Sequence, residues 1–189
     1  MRPVLIDLPR FLLRDFREAD RGAFISYQHD PRYLHLYDFE PDDARRAENL
    51  FDLFLAWQGD EPRSNFQFGI FDRRNALLCG CAGLRKSNDN VAVLGIELAP
   101  SEWGRFRLAL DAAAALLEYG FGTLGLDTII GDTSSGNNRV EKLARWFGAR
   151  IVARRAGPEW MQARGWQEVE WALGREDWEK SGRRSRPFW

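Results

Sequence analysis

The strand, turn and helix between residues 91 and 121 constrain the fold most. Residues 91–98 are apolar on both faces until Glu97, which is typical of a strand at the centre of a sheet. The next residues, Ala-Pro-Ser-Glu-Trp-Gly, break the pattern, and a long helix is predicted from near Arg107 to about Leu124. A buried strand that leads into an amphipathic helix predicts an α/β protein.

Strand and helix patterns alternate along the rest of the chain. Helices are predicted from Arg17 to about Gln28, where Asp30-Pro31 ends the pattern, and from Asp42. The other predicted elements are strands at 10–16, 66–71, 76–84, 128–132, 149–155 and 166–173, and a helix at 138–147. The order β-α-α-β-β-β-α-β-α-β-β predicts a mixed α/β fold with a partly antiparallel sheet.

Length and composition predict one domain with a substantial core. The chain has 189 residues, of which 44% are hydrophobic, and we expect a single domain over 1–180 and a basic tail over 181–189. The formal net charge of −1 argues against a nucleic-acid partner and against a membrane surface. No apolar run is long enough for a membrane span, and no secretory pattern is visible, so a cytoplasmic protein is expected.

The two cysteines, Cys79 and Cys81, are interpreted as core residues of one strand. Residues two apart on a strand point to the same face, and this spacing does not suit a disulfide across a strand pair. Two sulfur atoms with no histidine nearby make a poor zinc site, so no metal is expected.

The start of the long helix is a potential anion site. A helix N-terminus presents backbone N–H groups and the positive end of the helix dipole, and Arg105 and Arg107 add two cations there. This combination suits a pyrophosphate. The same strand–turn–helix unit also recurs in α/β folds that bind no phosphate, so the pattern alone leaves both interpretations open.

The order and spacing of several motifs resemble the GNAT superfamily of N-acetyltransferases, in its RimJ/RimL-like ribosomal-protein branch. The turn Pro-x-x-Trp-Gly-Arg, at 100–105, resembles the acetyl-CoA signature of that family. The opening strand and helix start at 8–20, the helix exit at 116–126 and the closing strand and tail at 166–178 resemble the same branch. Asn137 is followed eleven residues later by a glycine, and this spacing resembles the spacing from an asparagine to a Gly-Phe pair in the family.

The resemblance implies a GNAT fold and acetyl transfer from acetyl-CoA to a primary amine, by direct attack in a ternary complex. The amine belongs to a protein N-terminus or a small molecule, and a homodimer stays open. The cofactor residues that it implies are Ile96, Glu97 and Leu98 for the pantetheine, Gly104, Arg105, Phe106, Arg107, Leu108 and Ala109 for the pyrophosphate, and Asn137 for the other side of the cofactor.

The loop from Gly104 to Ala109 departs from the family pattern. It has one extra residue and lacks the second glycine, which allows close backbone approach to phosphate. In one interpretation, the extra residue reshapes the loop, and Arg105 or Arg107 neutralises the phosphate directly. In the other, cofactor affinity is weakened or lost. The tyrosine that often protonates the leaving thiolate in the family is replaced by Ala144. A catalytically degenerate GNAT-fold binding or regulatory module is therefore the alternative function.

Two carboxylates, Glu97 and Asp132, are the candidate general bases, because the amine must lose a proton before or during attack. Each has a structural alternative, as a solvated strand end or as a loop cap. The backbone N–H of Leu98 is the candidate donor to the thioester oxygen. The aromatic residues Tyr33, Tyr37, Phe39 and Trp57 either line an acceptor pocket or belong to the core.

Overall fold

A computed structural model describes residues 4–37 and 45–182, apart from the side chains of residues 36 and 37. The strands are β1 (Leu5–Asp7), β2 (Phe11–Asp15), β3 (Asn65–Asp72), β4 (Leu78–Lys86), β5 (Val91–Leu98), β6 (Thr128–Ser134), β7 (Arg150–Ala156) and β8 (Gln167–Gly174). The α-helices are α1 (Arg21–Gln28), α2 (Pro31–Tyr37), α3 (Arg46–Ala56), α4 (Phe106–Glu118), α5 (Asn138–Phe147), α6 (Glu159–Ala163) and α7 (Arg175–Lys180). The predicted mixed α/β fold is confirmed.

The elements that the sequence did not predict are β1, α2, α6 and α7, each with at most seven residues. Such short segments show too little periodicity to be recognised. Pro31 illustrates the point, because α1 ends before it as predicted, yet the same proline opens α2. Proline suits the first turn of a helix, where its missing N–H would have no intrahelical partner. The predicted helix start at Asp42 lies outside the described residues.

Helix α4 is shorter than predicted. It ends at Glu118 rather than near Leu124, and a π-helical turn, Tyr119–Thr123, follows it. This turn contains two glycines, Gly120 and Gly122, which are poor helix formers. None of the helices in 4–37 and 45–182 has the length and apolarity needed to cross a membrane.

The chain forms two compact units, Met1–Arg85 with Ile96–Ala112, and Lys86–Gly95 with Ala113–Trp189. In the first unit, β1, β2, β3 and β4 pair in sequence order, each antiparallel to the next. Its core is a cluster of aromatic rings from the end of β2, α1 and α3, with centroids 5.2–5.8 Å apart. These rings are Phe16, Phe24, Phe51 and Phe54.

In the second unit, the first residues of β5 pair in parallel with β6, from Val91 opposite Thr128 to Val93 opposite Ile130. β6 then pairs antiparallel with β8, and β8 antiparallel with β7. Helix α5 has the predicted bounds, and Gly148 ends it in the left-handed conformation at φ 81°.

One buried ion pair ties β2 to the segment before β3 in the first unit. The Arg63 guanidinium donates two hydrogen bonds to the Asp15 carboxylate, at 2.6 and 3.1 Å, and both side chains are less than 10% exposed. The backbone N–H of Val4 also donates to Asp15, at 2.9 Å. Removing one member of such a pair leaves an uncompensated buried charge.

We therefore expect Arg63→Met to lower the free energy of unfolding by about 3–5 kcal/mol. Arg73→Met is the matched control, because Arg73 pairs with Asp7 at an exposed position, and its loss should cost about 1 kcal/mol or less. Urea unfolding followed by circular dichroism measures both. Equal losses in the two variants would contradict a special role for the buried pair.

Candidate active site

The end of β5 is fixed by hydrogen bonds to β4 and to the following turn. The backbone N–H of Ala99 donates to the carbonyl of Cys79, and the indole N–H of Trp103 donates to the carbonyl of Leu98, both at 2.9 Å. Backbone groups of successive strand residues point to alternate edges, so the N–H of Leu98 faces away from β4. This is the group expected to stabilise the thioester oxygen.

Close contact between β4 and β5 depends on Gly80. A Cβ at this position, where φ is 148°, would lie 2.2 Å from the carbonyl oxygen of Glu97. Only glycine fits such an approach. The backbone predicted to face the pantetheine, at 96–98, is therefore held against β4 on one edge.

The predicted pyrophosphate loop begins at Gly104. A short 3-10 turn, Pro100–Glu102, precedes it, and α4 begins at Phe106. Gly104 has φ 94°, and a Cβ built on it would meet nothing within 4 Å. Its left-handed conformation favours glycine, and the space beside it allows a ligand to approach the backbone. Phe106, which stands in place of the family glycine, is 40% exposed.

Both arginines of this loop take part in ion pairs. Arg105 contacts the carboxylate of Glu102 and lies 3.8 Å from that of Asp72. Arg107 lies 3.3 Å from Asp111, one helical turn later. The arginine side chains are 39% and 48% exposed, and exposed pairs of this kind are weak, so an incoming phosphate could compete for either cation.

Glu97 lies in a cluster of hydrogen-bond donors within the first unit. Its Oε1 accepts from the hydroxyl of Tyr27 and the amide of Gln28, both at 2.6 Å, and from the thiol of Cys81 at 3.3 Å. Its Oε2 accepts from the hydroxyl of Tyr33 at 2.6 Å. Four donors thus hold the carboxylate in one orientation.

The groups around Glu97 are buried in the aromatic core. Tyr27, Gln28 and Tyr33 are all less than 8% exposed, and Arg46 donates to the amide oxygen of Gln28 at 3.0 Å, which fixes the orientation of that amide. Burial raises the pKa of the Tyr27 hydroxyl and of the Cys81 thiol, and the nearby Glu97 charge raises both further. Both groups therefore stay protonated at neutral pH and act as donors.

Asp132 has different surroundings. It is an exposed residue of β6 in the second unit, opposite Glu170 of β8, with Glu168 near it. Although the residue is exposed, its carboxylate is partly desolvated, which raises its pKa. Repulsion from Glu170 and Glu168 adds to the effect, and Arg155 opposes it. Arg155 itself bonds Glu170 at 2.8 Å. Asp132, Glu168 and Glu170 therefore form a group of three carboxylates beside the Arg155 guanidinium.

Asn137, the predicted cofactor residue of the second unit, is the N-cap of α5. Its side-chain oxygen accepts from the backbone N–H of Val140 at 3.3 Å. The preceding residue, Gly136, lies against the ring of Trp166, where a Cβ would approach within 2.3 Å. The loop that carries Asn137 is thus fixed by the helix on one side and by an indole on the other.

The contacts of Glu97 with Tyr27, Gln28 and Tyr33 were not predicted from the sequence. Tyr33 had been considered only as a pocket or core aromatic, and it is 3% exposed in the core cluster. Trp57 packs partly against the same cluster. Phe39 and the side chain of Tyr37 lie outside the described residues. A buried glutamine at the end of α1 gives no sign in the local sequence of the carboxylate that it binds.

Comparison with known proteins agrees with this architecture. The family model described as acetyltransferase (GNAT) domain matches residues 10–150, which is more than half of the chain. The chain belongs to the GNAT acetyltransferase family.

Solved structures share the GNAT fold at low sequence identity. A GNAT-family acetyltransferase from Bacillus anthracis is 22% identical, with a TM-score of 0.71 over 92% of this chain and 99% of that one. A proposed ribosomal-protein-serine acetyltransferase from Vibrio cholerae is 20% identical, with a TM-score of 0.73 over 92% and 99%. A spermidine N-acetyltransferase chimera from Vibrio cholerae and hSSAT is 17% identical, with a TM-score of 0.74 over 90% and 98%.

The raised pKa of Asp132 predicts a pH-dependent effect on stability. The folded state binds the proton more tightly than the unfolded state, whose pKa is near 3.8, so the ionised form of Asp132 destabilises the fold. Asp132→Asn should therefore raise the urea midpoint at about pH 7. The gain should shrink as pH falls toward about 3, where both states hold the proton.

Asp89→Asn is the control for this measurement, because Asp89 is a fully exposed turn residue of the same unit paired with Lys86. It should give no stabilisation at either pH. A destabilised Asp132→Asn protein at neutral pH would contradict the repulsion inferred from Glu168 and Glu170.

Proposed function

We propose that this GNAT protein is an acetyl-CoA-dependent N-acetyltransferase that acts on a primary amine, with both substrates bound together. The observation that carries the proposal is the strand–turn–helix of the first unit, where β5 ends against the Trp103 indole and α4 begins two residues after Gly104. The backbone at 96–98 would bind the pantetheine, and Gly104 to Ala109 the pyrophosphate. Asn137 stays a predicted cofactor contact.

The residues of the loop fit an anionic group. Gly104 leaves its backbone open, the N-terminus of the 13-residue helix α4 favours negative charge, and Arg105 and Arg107 can exchange a surface carboxylate for a phosphate. Phe106 is the departure, since a ring replaces the glycine of the family loop. Its partial exposure allows it to turn aside or to cover the ligand.

Acetyl-CoA, when bound, supplies the thioester carbonyl that the amine attacks. The N–H of Leu98 would donate to the carbonyl oxygen, because it lies on the edge of β5 that faces away from β4, and Trp103 holds the carbonyl of the same residue. The amine nitrogen must give up one proton, and a carboxylate with a raised pKa accepts it more readily than an ordinary one.

Of the two candidate bases, Asp132 has the more suitable surroundings. Partial desolvation, and then its acidic neighbours, raise its pKa above the ordinary aspartate value, which makes the carboxylate a stronger base. Glu97 already accepts four hydrogen bonds, so protonating it would break contacts that hold α1 and α2 to β5. We propose that Asp132 accepts the proton and that Glu97 acts as a positioning residue.

We propose the class of amine that accepts the acetyl group by reference to two structural relatives. One is the proposed ribosomal-protein-serine acetyltransferase and the other is the spermidine N-acetyltransferase chimera. The motifs at 8–20 and 166–178 favour the first, the RimJ/RimL-like branch, and hence a protein N-terminus. A panel of amines should therefore contain serine- and alanine-terminated peptides as well as spermidine.

The second candidate function is a binding or regulatory module without turnover. The specific observations that favour it are Phe106 in the loop, the ion pairs of Arg105 and Arg107, and Ala144 in place of a tyrosine acid. Such a module would bind its ligand without forming product. Release of free CoA thiol from any amine of the panel would eliminate it.

Calorimetry and a thiol-release assay test the proposed function. We expect saturable acetyl-CoA binding, and product formation that Asp132→Asn lowers by about 10²- to 10⁴-fold in kcat with the acetyl-CoA Kd unchanged. Tyr33→Phe should lower kcat less, because three donors to Glu97 remain. Absence of binding at millimolar acetyl-CoA would overturn the proposal, and a wild-type kcat in Asp132→Asn would exclude this residue as the base.

A further inference from the structure

A small pocket of about 60 Å³ lies within the second unit, at the end of β6. Its walls come from β6, β7, β8 and α5, and none of them is a residue assigned above to the cofactor or to the proton transfer. The lining residues on which the inference rests are Thr133, Ser134, Glu141, Arg154, Val169 and Trp171.

The strand register explains how these side chains meet. Val169 of β8 pairs with Thr133 of β6 on one side and with Arg154 of β7 on the other. Residues that are paired across neighbouring strands share a face of the sheet, so these three side chains form one row. In the next row of that face, Trp171 pairs with Gly131, which has no side chain to fill the space beside the indole.

The charges of the pocket leave one cation unbalanced. Arg154 forms no ion pair within the described part of the chain, whereas its neighbours on β7, Arg150 and Arg155, bond Asp177 and Glu170. The one acidic lining residue, Glu141, is neutralised by Arg145 at 2.9 Å. The guanidinium of Arg145 also lies 5.7 Å from the centre of the Trp171 ring.

The polar groups of the pocket lack acceptors. Trp171 is 6% exposed, and its indole N–H is buried with no hydrogen-bond partner among the described residues. The hydroxyls of Thr133 and Ser134 make no side-chain hydrogen bond within the same described segments. A buried donor without a partner is costly and rare in folded proteins, and it indicates an acceptor that is supplied from outside the chain.

We propose that this pocket binds a small oxyanion, a carboxylate or phosphate group, through Arg154 and the adjacent hydroxyls. A guanidinium and hydroxyl donors are the chemistry that recognises such groups, and the uncompensated positive charge excludes a cation. The volume admits only a few heavy atoms, so the bound part is a single oxyanion group rather than a nucleotide. The argument for this site does not rest on the proposed acetyl transfer.

Occupation of the pocket would act on the loop before α5. Thr133 and Ser134 lead directly into the loop that ends at Asn137, whose side chain caps α5. An oxyanion that links these hydroxyls to Arg154 would hold this loop to β7. The site is thus placed to respond to an anionic metabolite or to the carboxylate of a larger ligand.

NMR of the Trp171 indole N–H tests the proposal in the full chain without acetyl-CoA. The signal is assigned with Trp171→Phe, and acetate and inorganic phosphate are titrated separately against chloride at constant ionic strength. We expect a saturable shift with at least one oxyanion and none with chloride. Acetate alone would identify a carboxylate site, and phosphate alone a phosphate site.

Three variants make the test specific. Arg154→Gln should weaken binding at least about 10-fold, whereas Arg155→Gln, the next residue on β7, which bonds Glu170 on the other face, should leave it unchanged. Thr133→Val should weaken binding as well, and the other indole signals report whether each variant is folded. No saturable shift in the wild type, or equal affinity in Arg154→Gln, would overturn the proposal.

Discussion

The Glu97 carboxylate is the interaction on which the arrangement of the first unit depends. It lies beside an aromatic core, where an unpaired charge would be strongly unfavourable, and four donors satisfy it. These donors come from α1, α2 and β4, so one side chain joins two helices to the strand that is proposed to bind acetyl-CoA. A shift of either helix would therefore also displace the end of β5.

This network separates two roles that the sequence could not distinguish. Glu97 and Asp132 are both carboxylates near the ends of strands, and each could serve as a base. In the folded protein, one is saturated with hydrogen bonds and the other is surrounded by negative charge. Repulsion of this kind lowers stability, and such a cost is common at positions that are retained for chemistry. The environment of each carboxylate, rather than its residue type, indicates its role.

The loop at the start of α4 combines a departure from the family sequence with a backbone suited to an anion. The second glycine is absent, yet Gly104 adopts the left-handed conformation and α4 begins directly after Arg105. Each of the two arginines forms an ion pair with a surface carboxylate. The backbone conformation that is expected to bind an anion is therefore present, and the arginine–carboxylate pairs would determine how easily a phosphate reaches the two guanidinium groups.

The sequence alone determined the elements with a strong local signal. The apolar run of β5 predicted its bounds, and an amphipathic pattern that ends at Gly148 predicted those of α5, because apolar runs, helical periodicity and left-handed glycines are properties of neighbouring residues. The tertiary structure alone decided the partners of Glu97, which lie 64 to 70 residues away in the chain, and the row that places Arg154 beside Thr133. Hydrogen bonds and strand pairing between distant segments leave no periodic pattern in the sequence, so only the fold could show them.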